Sequence, residues 1–153
     1  MTTPKAPDGP DGADLPRPAD LLPHRDPFLF VDELTSVEPG RSASGIWILT
    51  GEEDFFRGHF PGRPTLPGVL MVEAMAQLGG LAVLADPRFA GYLPLFGGID
   101  KARFRRQVVP GDTLEMTVEL DQLGSSAGRG HGTAWVGGKV AATASMLFVL
   151  VRP

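Results

Sequence analysis

The apolar positions of this chain fall into several short runs and one long one. Pro27 to Leu34 (PFLFVDEL) is rich in Phe and Val and reads as a strand. Glu38-Pro39-Gly40 is a turn signal, and Ser42 to Leu49 (SASGIWIL) reads as a second strand, paired with the first as a hairpin. Asp54 to Pro67 is interrupted by prolines and glycines and reads as a loop. Gly68 to Ala85 is the long run. It opens at Pro67-Gly68 and closes at Asp86-Pro87, because proline cannot continue a helix and pushes the residue before it out of the α region. The rest reads as strands. Leu95 to Val108 and Asp112 to Leu120 flank Pro110-Gly111, and Gly132 to Val136 and Lys139 to Val151 flank Gly137-Gly138. Residues 1–20 are dominated by Pro, Gly and Asp without apolar periodicity. They are expected to form a disordered tail, which leaves one domain over residues 21–153.

A helix that is apolar on every side must be covered on every side. A curved antiparallel sheet wrapped around it satisfies that demand, and the expected class is α+β. The alternative, a membrane span, is just long enough but contains Glu73 and Gln77. A carboxylate near mid-bilayer costs roughly 2.5 kcal/mol or more, so a buried core helix is the better reading. Composition changes the picture in two ways. The chain of 153 residues has no cysteine, which rules out disulfides, thiolate metal sites and a cysteine nucleophile, and fits a cytoplasmic setting. Net charge is -4 and the sequence pI about 5.3, which makes nucleic acid a poor partner. No basic segment followed by an apolar one marks a signal peptide at the N-terminus.

Candidate chemistry lies in GHFPGRPTLPGVLMVEAMAQ, Gly58 to Gln77. His59 precedes the helix start and Glu73 sits about one and a half turns into the helix. Gln77 is at i+4 from Glu73, on the same face. Taken alone, each is ordinary: a Glu in an apolar helix pairs with a core cation, and a loop His is solvated. Together with Pro67-Gly68 they supply a base, an acid and an oxyanion site. Removing the α-proton of a thioester calls for stabilisation of an enolate-like oxygen, which free N–H groups at a helix N-terminus provide. Gly68, without a Cβ, permits close backbone approach. Imidazole suits proton abstraction near neutral pH. A carboxyl in an apolar setting can hold and donate the proton that a hydroxyl needs to leave as water. This chemistry needs no metal and no organic cofactor, and the three histidines have no metal-ligand spacing.

The sequence resembles the FabZ-like 3-hydroxyacyl-[acyl-carrier-protein] dehydratases, which have the hot-dog fold. The matching stretches are Leu22-Pro23-His24-Arg25 with Pro27 to Asp32, Phe55 to Gly62, Pro67 to Leu70, Glu73 to Gln77, Gly98 to Arg106, and Val109 to Asp112. The resemblance runs from about Leu21 to Val151. It implies dehydration of a (3R)-hydroxyacyl thioester on acyl carrier protein to the trans-2-enoyl form, in type II fatty acid synthesis. It assigns His59 and Glu73 as the catalytic pair, the Gly68 N–H as oxyanion donor, and the Thr65 carbonyl as the group that orients the imidazole. It places Phe60, Val69, Gln77, Leu95 and Phe96 along a substrate tunnel. It further implies a homodimer in which His59 faces Glu73 of the other subunit, and in some members a trimer of dimers.

Lys101, Arg103 and Arg105 have a period of two, which on a strand gives one face. That face is either simply solvated or a docking patch for the acidic carrier protein. Arg106 falls on the opposite face. His24 and Arg25 are expected to be structural, and His131 to sit exposed in a glycine-rich loop. Asp26 and Leu95 stand where the family commonly has aromatic residues, which bears on acyl chain length rather than on the chemistry. Three other functions compete: a same-chemistry dehydratase of a polyketide or other specialised pathway, a hot-dog thioesterase, and a non-catalytic acyl-binding hot dog.

Overall fold

The computed structural model describes residues 14–152. Its centre is helix α2, Gly68–Leu84, in which twelve of seventeen residues are buried. Six antiparallel strands wrap around it: β1 (Glu33–Glu38), β2 (Ser42–Ile48), β3 (Leu93–Phe104), β4 (Thr113–Leu123), β5 (Ala127–Val136) and β6 (Lys139–Val151). Their spatial order is β1-β2-β4-β5-β6-β3, so β1 and β3 form the two edges. This is the α+β arrangement expected from the apolar helix, and it is the hot-dog fold that the resemblance implies. No helix among the described residues is long and apolar enough to cross a membrane.

Alternation along the central strands supplies the concave face. Leu114, Met116 and Val118 of β4 point inward, as do Ala142, Ala144, Met146, Phe148 and Leu150 of β6. Against them pack Met75, Leu78 and Leu81 of α2, none with measurable exposure. The fit leaves no slack at Gly79, where a Cβ would lie 2.6 Å from the Phe148 Cζ.

Several expected boundaries shift. The first strand begins at Glu33, not Pro27. The Phe30 N–H donates to Gln77 Oε1 (2.8 Å), and the Phe28 carbonyl accepts from Gln77 Nε2 (3.0 Å). The backbone groups of this segment are thus taken by a helix side chain rather than by a neighbouring strand. The expected loop holds one helical turn, Asp54–Arg57. β3 starts two residues early and stops at Phe104.

The glycine-rich stretch is strand, not loop. β4 runs to Leu123 and β5 starts at Ala127. Gly130 and Gly132 are buried within β5. Added Cβ atoms there would meet Glu119 O at 2.7 Å and Met75 Sδ at 3.0 Å, so these glycines serve close approach. His131 therefore lies on a strand, where its Nδ1 contacts Asp121 at 2.9 Å. A short helix α1, Pro18–Leu21, spans the expected boundary between tail and domain, and Pro18 is buried. Leu15 of the expected tail also packs against the core, and residues 1–13 lie outside the described residues.

Candidate active site

The loop before α2 is a closed structure. Thr65 N–H donates to His59 O (2.8 Å), while Phe60 and Arg63 exchange backbone hydrogen bonds of 3.1 and 2.8 Å. This brings the Thr65 carbonyl 2.7 Å from His59 Nδ1. A carbonyl can only accept, so Nδ1 carries the proton and Nε2 presents a lone pair. The imidazole also stacks on the Phe60 ring, with centroids 4.0 Å apart. Gln107 Nε2 donates to Thr65 Oγ1 (2.7 Å), tying the loop to the segment that follows β3. The imidazole is thus fixed in tautomer and in plane.

Gly68 opens α2, where the first amides have no carbonyl one turn earlier. The Phe104 ring lies against it: a Cβ on Gly68 would sit 2.8, 2.9 and 3.1 Å from three ring atoms. Any side chain here would displace the half-exposed Phe104 ring from its place against the helix start.

Glu73 is mostly buried. Burial pushes its carboxyl above the ordinary range, while the Gln77 amide and nearby His24 pull it back. Gln77 Nε2 donates to Glu73 Oε1 at 3.2 Å. The amide cannot be turned around, because its oxygen already accepts from the Phe30 N–H. Glu73 and Gln77 border a cavity of about 240 Å³ between α2, β3 and β6, walled by Leu22, Gly80, Leu95, Phe96 and Phe148.

Glu73, Gln77, Leu95 and Phe96 are thus brought together at the cavity. His59 and Thr65 pair in the loop that leads into Gly68 at the start of α2, and none of the three lines the cavity. Phe60 and Val69 do not line the cavity and are 51% and 69% exposed. No hydrogen bond or ion pair joins His59 to Glu73 within the chain, among the described residues. No group of His, Asp and Glu side chains among those residues is placed to hold a metal.

The shared face expected for Lys101, Arg103 and Arg105 is broken. Asp100 pairs with Ser145 and Arg103 with Thr143, so the strand carries one extra residue, and Lys101 has φ of 52°. Arg105 lies beyond the strand end. All three remain exposed. Two site residues escaped the sequence reading. His24 lines the cavity, with Nε2 3.8 Å from Glu73 Oε1. Phe104 covers Gly68. His24 lies within the motif LPHR and Phe104 within the matching stretch Gly98 to Arg106, and those are their only signals in the sequence.

Residues 22–145 match the FabA-like domain family. The chain is 51% identical over 137 residues to a 3-hydroxyacyl-[acyl-carrier-protein] dehydratase FabZ of Pelotomaculum thermopropionicum, covering 90% of this chain and 98% of the relative. It is 52% identical over 130 residues to the FabZ of Moorella thermoacetica, covering 85% and 91%. Among solved structures it resembles a chain of the dehydratase heterocomplex ApeI:P from Xenorhabdus doucetiae, with TM-score 0.75 and 18% identity over 92% of this chain and 93% of that one. At that identity the likeness is one of fold.

Proposed function

We infer from its place in the FabZ family of 3-hydroxyacyl-[acyl-carrier-protein] dehydratases, to which the chain belongs, that it removes water from a 3-hydroxyacyl group carried on acyl carrier protein in fatty acid synthesis. His59 Nε2 takes the α-proton of the thioester. The electron pair moves toward the thioester oxygen, which the Gly68 N–H stabilises at the positive end of α2. The C3–O bond breaks as Glu73 gives its proton to the leaving hydroxyl, and the product is the trans-2-enoyl thioester and water. His59 is left protonated and Glu73 ionised, and one proton returned through solvent resets the pair. The observation that carries this reading is the His59 Nδ1 contact with the Thr65 carbonyl, which leaves Nε2 free to act as base.

The working unit is a homodimer with shared sites, and the resemblance extends this to three such dimers. Within one chain, His59 does not reach the cavity that Glu73 borders. The edge strand β3 carries Leu93, Leu95, Phe96, Ile99 and Phe104, each 38% to 55% exposed, an apolar row suited to a second copy. The carrier protein docks at Lys101, Arg103 and Arg105, which flank Phe104 and so lie beside the start of α2. The tunnel for the acyl chain follows the cavity, with Phe60 and Val69 at the dimer seam. The cytoplasmic setting expected of a cysteine-free chain goes with this reading.

Mixing two variants tests the shared site. His59→Ala and Glu73→Gln are each expected to be inactive toward a 3-hydroxyacyl carrier-protein thioester. After subunit exchange, about a quarter of the wild-type activity is expected, because half the dimers are mixed and each mixed dimer holds one intact site of two. Full activity of His59→Ala alone refutes the base assignment. Inactive mixtures with proven exchange refute the shared site.

A further inference from the structure

We propose that His24 is a positioning residue for the dehydration: with Gln77 it commits Glu73 Oε1 to the role of acceptor, so that the proton to be transferred resides on Oε2. The inference rests on the reading of Glu73 as the acid. His24 Nδ1 is buried and has no hydrogen-bond partner among the described residues. Its Nε2 faces Glu73 Oε1 at 3.8 Å. A lone pair on Nε2 would confront the lone pairs of that oxygen, so the tautomer with its N–H on Nε2 fits the site. The opposite tautomer would also strand a buried N–H at Nδ1, the costlier of the two orphans.

The segment around His24 is itself held in place. Arg25 Nη1 donates to the carbonyls of Leu22 and His24, both at 2.7 Å. Gln77 Nε2 approaches the same Oε1 at 3.2 Å, with its amide orientation locked by Phe30. One N–H is thus hydrogen-bonded to this carboxyl oxygen and a second faces it from 3.8 Å, while Oε2 has no hydrogen bond among the described residues. A proton on Oε1 would crowd both donors. A proton on Oε2 leaves Oε1 as the carbonyl-like acceptor and turns the O–H away from the donors, toward the substrate. The groups facing Glu73 are few: His24 from the segment before β1, Gln77 from its own helix, and apolar side chains from β3 and β6. His24 and Glu73 are the only titratable residues lining the cavity.

The test compares His24→Phe with His24→Gln, whose amide places an N–H near the position of the imidazole Nε2. With 3-hydroxyacyl carrier-protein substrate, His24→Phe is expected to lower plateau kcat about tenfold, with KM unchanged within about twofold. It is also expected to move the alkaline limb of kcat to higher pH, since one influence holding Glu73 down is gone. His24→Gln is expected to recover kcat to within about threefold of wild type. Should the phenyl ring prevent folding, His24→Ala carries the same expectation as His24→Phe. Unchanged kcat and pH profile in the Phe or Ala variant overturn the proposal. A fall of a hundredfold or more in His24→Gln overturns it too, because it means that His24 itself moves a proton. Glu73→Gln is run alongside: if that variant keeps full activity, the acid assignment falls. If it is inactive while His24→Phe is unaffected, only the positioning role fails.

Discussion

Gln77 offers the most direct test of how the helix and the N-terminal segment hold one another. The perturbation is Gln77→Met, which keeps the length and apolar stem and deletes the amide. Gln77 is 2% exposed and Phe30 4% exposed, so the Phe30 N–H loses its partner where water does not reach. A stranded buried donor costs about 1–3 kcal/mol. The Phe28 carbonyl also loses a hydrogen bond, but Phe28 is half exposed, so water replaces much of it at a cost of about 0.5 kcal/mol. Burial of the thioether offsets part of this, by about 1 kcal/mol. The net expected loss is about 0.5–2.5 kcal/mol, or roughly 1–10 °C in Tm for a chain of this size. Urea unfolding at fixed protein concentration measures the stability change. A second readout is electrostatic. The Gln77 donor lowers the Glu73 carboxyl, so its removal moves the alkaline limb of kcat upward in pH while plateau kcat falls. A Gln77→Met protein as stable as wild type, with the same pH profile, would refute the reasoning that this amide bridges backbone and acid.

Three further outcomes follow from particular contacts. Gly79→Ala is expected to cost about 1–3 kcal/mol in urea unfolding, because the new methyl meets the Phe148 ring; Phe148→Leu should restore part of the loss, and an unaffected Gly79→Ala would contradict the packing. The folded-state pKa of Glu73 is raised, so its contribution to stability is fully present below the unfolded value of about 4.5 and is lost as pH rises through the folded value. Glu73→Gln should therefore gain stability over wild type as pH rises, and a difference independent of pH would deny the burial effect. Lys101→Glu with Arg103→Glu should raise KM for carrier-protein substrates about tenfold or more and leave KM for small thioester analogues within about twofold; equal effects on both would reject docking.

Structure is legible in the sequence wherever local physics decides the outcome. Pro67-Gly68 and Asp86-Pro87 bracket the helix because proline acts on its own neighbours. Pro39-Gly40, Pro110-Gly111 and Gly137-Gly138 mark real reversals because glycine takes up positive φ at 40, 111, 137 and 138. The sequence is silent where a distant partner decides. The strand expected from Pro27 is displaced by a side chain 47 to 49 residues further along. The stretch Gly124 to Gly132 has loop-like composition, yet its glycines at 130 and 132 are demanded by Glu119 and Met75 across the sheet. The extra residue near Lys101 leaves no mark in composition. The spacing of His59, Gly68 and Glu73 exposed the candidate chemistry. The approach of His24 to Glu73 joins residues 49 positions apart, and only the folded chain shows it.

The open edge at β3 also bears on the history of each molecule. A single folded chain displays a twelve-residue edge strand with unpaired backbone groups and a row of apolar side chains. Any extended polypeptide of suitable sequence can add to such a strand. For the proposed homodimer, assembly is then a race against adventitious strand addition, decided by how fast two like chains find each other. Lesions at this edge should surface in a cell less as slow enzyme than as missing enzyme, lost to inclusion bodies before any substrate is bound.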